Sequence, residues 1–170
     1  METKLDILRR YFGYTSFRRG QEEIVDALLT GRDALCVMPT GAGKSVCYQV
    51  PALLLPGITL VISPLISLMK DQVESLTQAG VHAAYLNSSL TPAQYSRALH
   101  NLSEGLYKLV YVAPERLSTE NFRTAVENLN ISLIAVDEAH CVSQWGQDFR
   151  PDYLKIAEFA ESLKNRPTIG

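Results

Sequence analysis

The sequence predicts an α/β protein with a mainly parallel sheet and helices on both faces. Three observations predict it. Apolar runs of strand length recur at residues 34–38, 59–62, 83–86, 109–112 and 133–136. The runs are nearly all apolar rather than alternating, as strands covered on both faces are. The stretches between them carry helical periodicity and have the length of crossover helices.

Each element has its own local warrant. Residues 34–38 (Ala-Leu-Cys-Val-Met) read as a buried strand, and residues 44–55 as the helix that follows. The strand at 59–62 leads to a helix over 64–78, capped by Gly80. Leu65, Leu68, Met69, Val73 and Leu76 form its apolar stripe, with Lys70, Asp71 and Glu74 off it. After a shorter strand at 83–86, Thr91 is an N-cap, Pro92 sits in the first turn and Gln94 closes a capping box. A helix over about 121–129 separates the strands at 109–112 and 133–136, and another over about 152–163 follows. Residues 166–170 read as the entry to a further strand, so the sequence is expected to be part of a longer chain, truncated near the end of its domain.

Bulk properties narrow the function classes. A length of 170 residues suits one domain with a proper core. The net charge of -2 provides no global basic field, so any nucleic-acid contact must be local. Cys36, Cys47 and Cys141 are far apart and lack a Cys-x-x-Cys spacing. They read as reduced thiols of a cytoplasmic protein, neither a disulfide framework nor a metal site. The N-terminus has no apolar signal region, and the longest apolar run, residues 50–55, is too short to span a membrane.

Two motifs carry the chemistry, and both follow strand-like runs. Residues 38–45 depart from G-x-x-x-x-G-K-[ST] because Met38 stands at the first glycine. The part nearest a phosphate remains: Thr40, Gly41, Ala42, Gly43, Lys44 and Ser45. Gly41 and Gly43 permit tight backbone geometry with N–H groups turned to an anion. Lys44 at a helix start opposes the helix dipole until an anion binds there. Ser45 offers a hydroxyl to Mg²⁺. The bland alternative is a glycine-rich turn with an exposed lysine. At residues 136–140, Asp137 and Glu138 end an apolar run. Asp137 suits a metal bound to a nucleotide, and Glu138 suits the attacking water; the alternative is a pair of surface acids. His140 either links this site to a neighbouring region or is structural. In parallel sheets ligands lie beyond the strand C-termini, where both motifs fall. Upstream, Gln21 has the donor and acceptor that adenine N6 and N7 require, and Tyr14 or Arg18 can stack on the base. A glutamine in a first helical turn is also commonly just solvated.

Taken together the chain resembles the first motor lobe of a RecQ-type DNA helicase of superfamily 2, over essentially all of its length. Residues 17–21 (Phe-Arg-Arg-Gly-Gln) resemble the adenine motif, although Arg19 stands where many relatives have proline. Residues 38–52 resemble the phosphate-loop segment, which does not require glycine at position 38. Residues 61–72 and 111–117 resemble two single-strand DNA contact motifs, and residues 137–140 (Asp-Glu-Ala-His) are the DEAH box. Residues 141–151 resemble the aromatic-rich loop that couples DNA binding to hydrolysis. Trp145 and Phe149 within it are either a stacking surface for bases or plugs for the core below.

The resemblance implies a RecA-like P-loop domain over residues 1–170, with the adenine motif in N-terminal helices over 1–30. It implies ATP and Mg²⁺ as cofactors and 3′ to 5′ movement on single-stranded and branched DNA. Lys44, Asp137 and Glu138 become catalytic, and Ser63, Pro64, Arg116, His140, Trp145, Phe149 and Arg150 face or couple to DNA. A second motor lobe of the same parent chain would complete the site and carry an arginine finger, so these 170 residues alone are expected to be unable to unwind DNA. A nucleotide-gated binding module and an RNA helicase lobe are the rival readings. The parent protein is expected in the cytoplasm, on the nucleoid if bacterial.

Overall fold

A computed structural model describes residues 1–36 and 43–137, together with residues 156, 158, 159, 161, 168 and 169. Among the described residues, five strands form one sheet in the order β2-β3-β1-β4-β5. They are β1 (Ile58–Ile62), β2 (Ala83–Leu86), β3 (Leu109–Val112), β4 (Ile131–Val136) and β5 (Thr168–Ile169). Every pairing is parallel: Leu60 of β1 faces Val110 of β3 on one side and Ile134 of β4 on the other. The chain therefore leaves β1 towards β2 and β3, then returns across it to β4. That reversal makes the C-terminal ends of β1 and β4 a topological switch point.

The helices include α1 (Lys4–Ile7), continued by a π-helical turn Leu8–Phe12, α2 (Gln21–Leu29), α3 (Val46–Leu54), α4 (Ile66–Gln78), α5 (Pro92–Ser103) and α6 (Glu120–Val126). They cover both faces of the sheet, as the apolar strands require. Val110 and Val112 of β3 point with Leu60, Ile62 and Ile134 into a core closed by Leu102, Phe122 and Phe159. The rings of Phe122 and Phe159 pack with centroids 5.6 Å apart. Leu109 and Tyr111 point the other way, with Val61, Leu133 and Ala135, onto Tyr48 and Ala52 of α3 and Met69, Val73 and Leu76 of α4. A third apolar cluster, Ile7, Leu8, Val25, Val46 and Val50, fastens α1 and α2 to α3. Lys4 strengthens this join by pairing with Glu22 at 2.8 Å and Asp26 at 2.6 Å.

Most predicted elements are present, with ends shifted by one to three residues. The capping box is formed: Thr91 Oγ1 accepts from the Gln94 N–H at 3.2 Å, and Gln94 Oε1 accepts from the Thr91 N–H at 2.9 Å. At the start of β1, Gly57 has φ +83° and a Cβ there would lie 2.3 Å from the Asn130 carbonyl oxygen, so only glycine fits.

Two expectations need correcting. The predicted strand at 34–38 is not found over its described part, Ala34 to Cys36. Leu35 is 80% exposed. Both sides of β4 are taken, by β1 and β5, so this short apolar run does not pair there. The predicted stripe of α4 holds only from Met69 onward. Leu65 and Leu68 are 37% and 40% exposed, because the helix starts at Ile66 and its first turn lies at the sheet's C-terminal edge.

Phe122 is fully buried, so Phe122→Ala should lower the unfolding free energy by about 3–5 kcal/mol. Thr91→Ala, which removes one cap at the surface, should cost about 1 kcal/mol. Urea denaturation of the two variants beside wild type measures both.

Candidate functional site

The chain enters α3 through Gly43, Lys44 and Ser45, and the backbone carbonyls of all three already accept helical N–H groups from Val46, Cys47 and Gln49. Ser45 is the N-cap residue but its side chain makes no capping hydrogen bond. Its hydroxyl is thus left for another partner. Lys44 is half-buried at the positive end of the helix, and among the described residues no carboxylate pairs with it. An arriving phosphate would relieve that arrangement.

Gln21 is buried at 4% exposure, a departure from the solvated alternative. Its Oε1 accepts from the Arg18 N–H at 2.7 Å, and its Nε2 donates to the Gly43 carbonyl at 3.0 Å. The carboxamide therefore ties the N-terminal segment to the phosphate-loop segment. Gly43 has φ +77°, and a Cβ on it would stand 2.6 Å from Gln21 Nε2. The left-handed backbone disfavours any other residue there, and a Cβ would have to push the Gln21 carboxamide aside. The Arg18 guanidinium carbon lies 5.9 Å from the centre of the Tyr14 ring, which is half exposed. Tyr14, Arg18, Gln21 and Gly43 are thus brought together across more than twenty residues of sequence.

Asp137 follows β4 directly, and its N–H donates to the Ile62 carbonyl of β1 at 2.9 Å. That bond holds it at the switch point. Its negative charge reaches the hydroxyls of Tyr48 and Tyr111 and helps to raise their pKa values. Hydroxyl and carboxylate oxygens, as on Ser45 and Asp137, are the donors Mg²⁺ takes alongside substrate phosphates. The residues present therefore fit a magnesium–nucleotide complex. A cleft of about 400 Å³ opens beside Ser45, lined among others by Tyr14, Gln49, Leu68 and Gln72.

The candidate DNA residues are placed differently from one another. Ser63 is 2% exposed. Its Oγ accepts from the Leu65 N–H at 3.3 Å, so it shapes the turn into α4. Pro64 is half-buried beside it. Arg116 stands on the 3₁₀ turn Pro114–Ser118, its guanidinium carbon 4.6 Å from the Tyr95 ring centre and its buried Nε without a hydrogen-bond partner among the described residues. Thr40, Gly41, Ala42, Glu138, His140, Trp145, Phe149 and Arg150 lie outside the described residues.

Sequence reasoning missed a buried polar cluster. Tyr48 and Tyr111 share a hydrogen bond of 2.9 Å between their hydroxyls. Gln49 Nε2 donates to the Tyr111 hydroxyl and to Gln72 Oε1, each at 3.0 Å. The signal was available: a tyrosine in the fully buried strand Leu109–Val112 must find a partner for its hydroxyl. Burial is the main cause that pushes Tyr111 up to about 12, and burial likewise puts Tyr48 well above 10. Cys47 is also pushed up to about 12, by burial first and by Cys36 second, which keeps it a thiol.

The tyrosines set a pH dependence. Their folded pKa values lie above the unfolded value of 10, so the folded state retains protons that the unfolded chain loses. Their contribution to stability is complete below pH 10 and should be lost as pH rises from 10 towards 12. Circular dichroism against pH should show this alkaline loss, and Tyr111→Phe should make it shallower.

Comparison with known proteins follows the same lines. The DEAD/DEAH box helicase family model matches residues 18–170. The chain is 51% identical over 169 residues to the ATP-dependent DNA helicase RecQ of Pasteurella multocida, covering 99% of this chain and 27% of that protein. Its likeness to the protein of the same name from Haemophilus influenzae is 52% over 168 residues, with the same coverage. The chain thus spans about a quarter of the length of these relatives. Among solved structures, the DUF1998 helicase MrfA bound to DNA and AMPPNP superposes with a TM-score of 0.78 at 16% identity, covering 99% of this chain and 25% of that one. A hypothetical ATP-dependent RNA helicase from Sulfolobus tokodaii gives 0.74 at 18% identity, covering 99% of this chain and 49% of that one. At such identities the likeness is one of fold, a RecA-like helicase domain. With the match running from Arg18 to the last residue, the chain belongs to the DEAD/DEAH box helicase family.

Proposed function

We propose that this chain is the nucleotide-binding motor lobe of an ATP-dependent DNA helicase of the RecQ type. The observation that carries the reading is that the first turn of α3, which follows Lys44 and Ser45, lies at the end of β3 and within reach of the Asp137 charge: Tyr48 bonds to Tyr111 and feels that carboxylate. About 50% identity to DNA helicases over nearly the whole chain favours DNA over RNA as the substrate.

Bound Mg·ATP supplies the phosphoanhydride bond whose cleavage drives movement. Lys44 offsets phosphate charge, and Ser45 and Asp137 hold the metal. Glu138 orients the attacking water and takes its proton. Tyr14 and Arg18 bracket the base, and Gln21 reads its edge. Thr40, Gly41, Ala42 and Gly43 line the phosphates. Ser63 and Pro64 shape one contact with single-stranded or branched DNA, and Arg116 forms another. His140, Trp145, Phe149 and Arg150 connect that strand to the nucleotide. A second motor lobe in the parent chain closes over the nucleotide, and the whole acts in the cytoplasm, on the nucleoid if the source is bacterial. Among the described residues no helix is long and apolar enough to cross a membrane.

In the longer protein, Glu138→Gln should retain ATP binding while lowering single-strand-stimulated turnover by about 10²-fold or more. A coupled-enzyme ATPase assay with single-stranded DNA and with RNA measures this and tests the choice of nucleic acid. Wild-type DNA binding gated by ATP but without hydrolysis would favour a binding module instead. Stronger stimulation by RNA would favour an RNA helicase. Gly43→Ala should weaken ATP binding by displacing Gln21, measurable by titration calorimetry.

A further inference from the structure

The buried polar cluster joins three segments that the proposed function assigns to different tasks. Tyr48 and Gln49 lie in the first turn of α3, directly after Lys44 and Ser45. Gln72 lies on α4, which the chain enters through Ser63 and Pro64. Tyr111 lies on β3, which leads within a few residues to the turn bearing Arg116. Its hydroxyl is the hub, bonded to Tyr48 at 2.9 Å and to Gln49 at 3.0 Å, while Gln49 reaches on to Gln72 at 3.0 Å.

The surroundings leave this hub little freedom. Tyr111 and Tyr48 are 1% and 7% exposed. Their rings meet edge to face, with centroids 6.3 Å apart. The two bonds on the Tyr111 hydroxyl are buried, while the Gln49–Gln72 bond is half-buried at the edge of the cleft, so a shift of the end of β3 either breaks a buried hydrogen bond or carries α3 with it, and α4 is tied in through the more accessible link. Breaking a bond at such burial is the costlier course. Asp137 lies near enough for its charge to act on both tyrosine hydroxyls, so the cluster also borders the candidate metal ligand.

We infer that Tyr111 is a positioning residue, whose hydroxyl transmits nucleic-acid engagement at the Ser63–Pro64 turn and at Arg116 to Lys44 and Ser45 at the head of α3. The inference rests on the proposed function. It concerns equilibrium coupling between two sites through a contiguous hydrogen-bonded group. The residue touches neither nucleotide nor strand.

The test uses the longer protein, an oligo-dT single strand as activator, and two variants that keep their rings, Tyr111→Phe and Tyr48→Phe. ATPase rates are measured with and without the strand, with the ATP KM and the strand's affinity. The expected result is a fall of roughly tenfold in stimulation. The unstimulated rate and the ATP KM should stay within about twofold of wild type, inside the scatter of a minor perturbation. Tyr48→Phe covers the case in which Tyr111→Phe does not fold. Full stimulation in both variants would overturn the inference. So would a parallel fall of the stimulated and unstimulated rates, which a purely structural role produces. A wild type that no nucleic acid stimulates would instead overturn the functional reading, and the inference with it.

Discussion

Parallel pairing is the constraint on which the rest of this structure depends. A parallel neighbour cannot be reached by a tight turn, so each connection must climb over a face of the sheet. Both faces are therefore covered, and the strands between them are mostly apolar. The strands also finish together on one edge. Ser63, Ala113 and Asp137 are held there by backbone bonds from the neighbouring strand, which is why residues distant in sequence share one site. The chemistry is placed by the topology before any side chain contributes.

Within this apolar frame the polar groups are treated unequally. Among the described residues the buried hydroxyls of Thr59 and Ser132 find no hydrogen-bond partner, an arrangement that costs stability. The hydroxyls of Tyr48 and Tyr111 and the amides of Gln49 and Gln72 satisfy one another across three elements. Apolar residues of similar volume would fill the same space and leave no preferred register between α3, α4 and β3. Four matched polar side chains specify one.

Much of this was legible in the chain. The strand at Leu109–Val112 and the helix opened by Thr91 and Pro92 were readable because local composition and tertiary role agree there. The run at 34–38 was misread over its described part because apolar composition marks a candidate strand but cannot supply a pairing partner. Leu65 and Leu68 show the same limit in a helix: periodicity identifies the apolar face, while the position of the helix end relative to the sheet decides which residues have something to pack on. At the site, residue type and spacing were enough to single out Lys44, Ser45 and Asp137 as candidates. The bond from Gln21 to Gly43 was not, because it depends on how two loops meet. The tyrosine cluster was hidden for the same reason, although an aromatic hydroxyl in a buried strand should prompt the question.

The strand order has a consequence for how the chain assembles. Among the described residues β2 joins the sheet through β3 alone, and β3 enters between β2 and β1. Until residues 109–112 arrive, the central strand β1 has open sides, and its remaining partner β4 comes later still. During synthesis the apolar flanks of β1 therefore wait for most of the domain, while α1, α2 and α3 can already gather around Ile7, Val25 and Val50. Folding of this lobe is accordingly late and dominated by distant contacts, with an interval in which an unpaired central strand is exposed to mispairing.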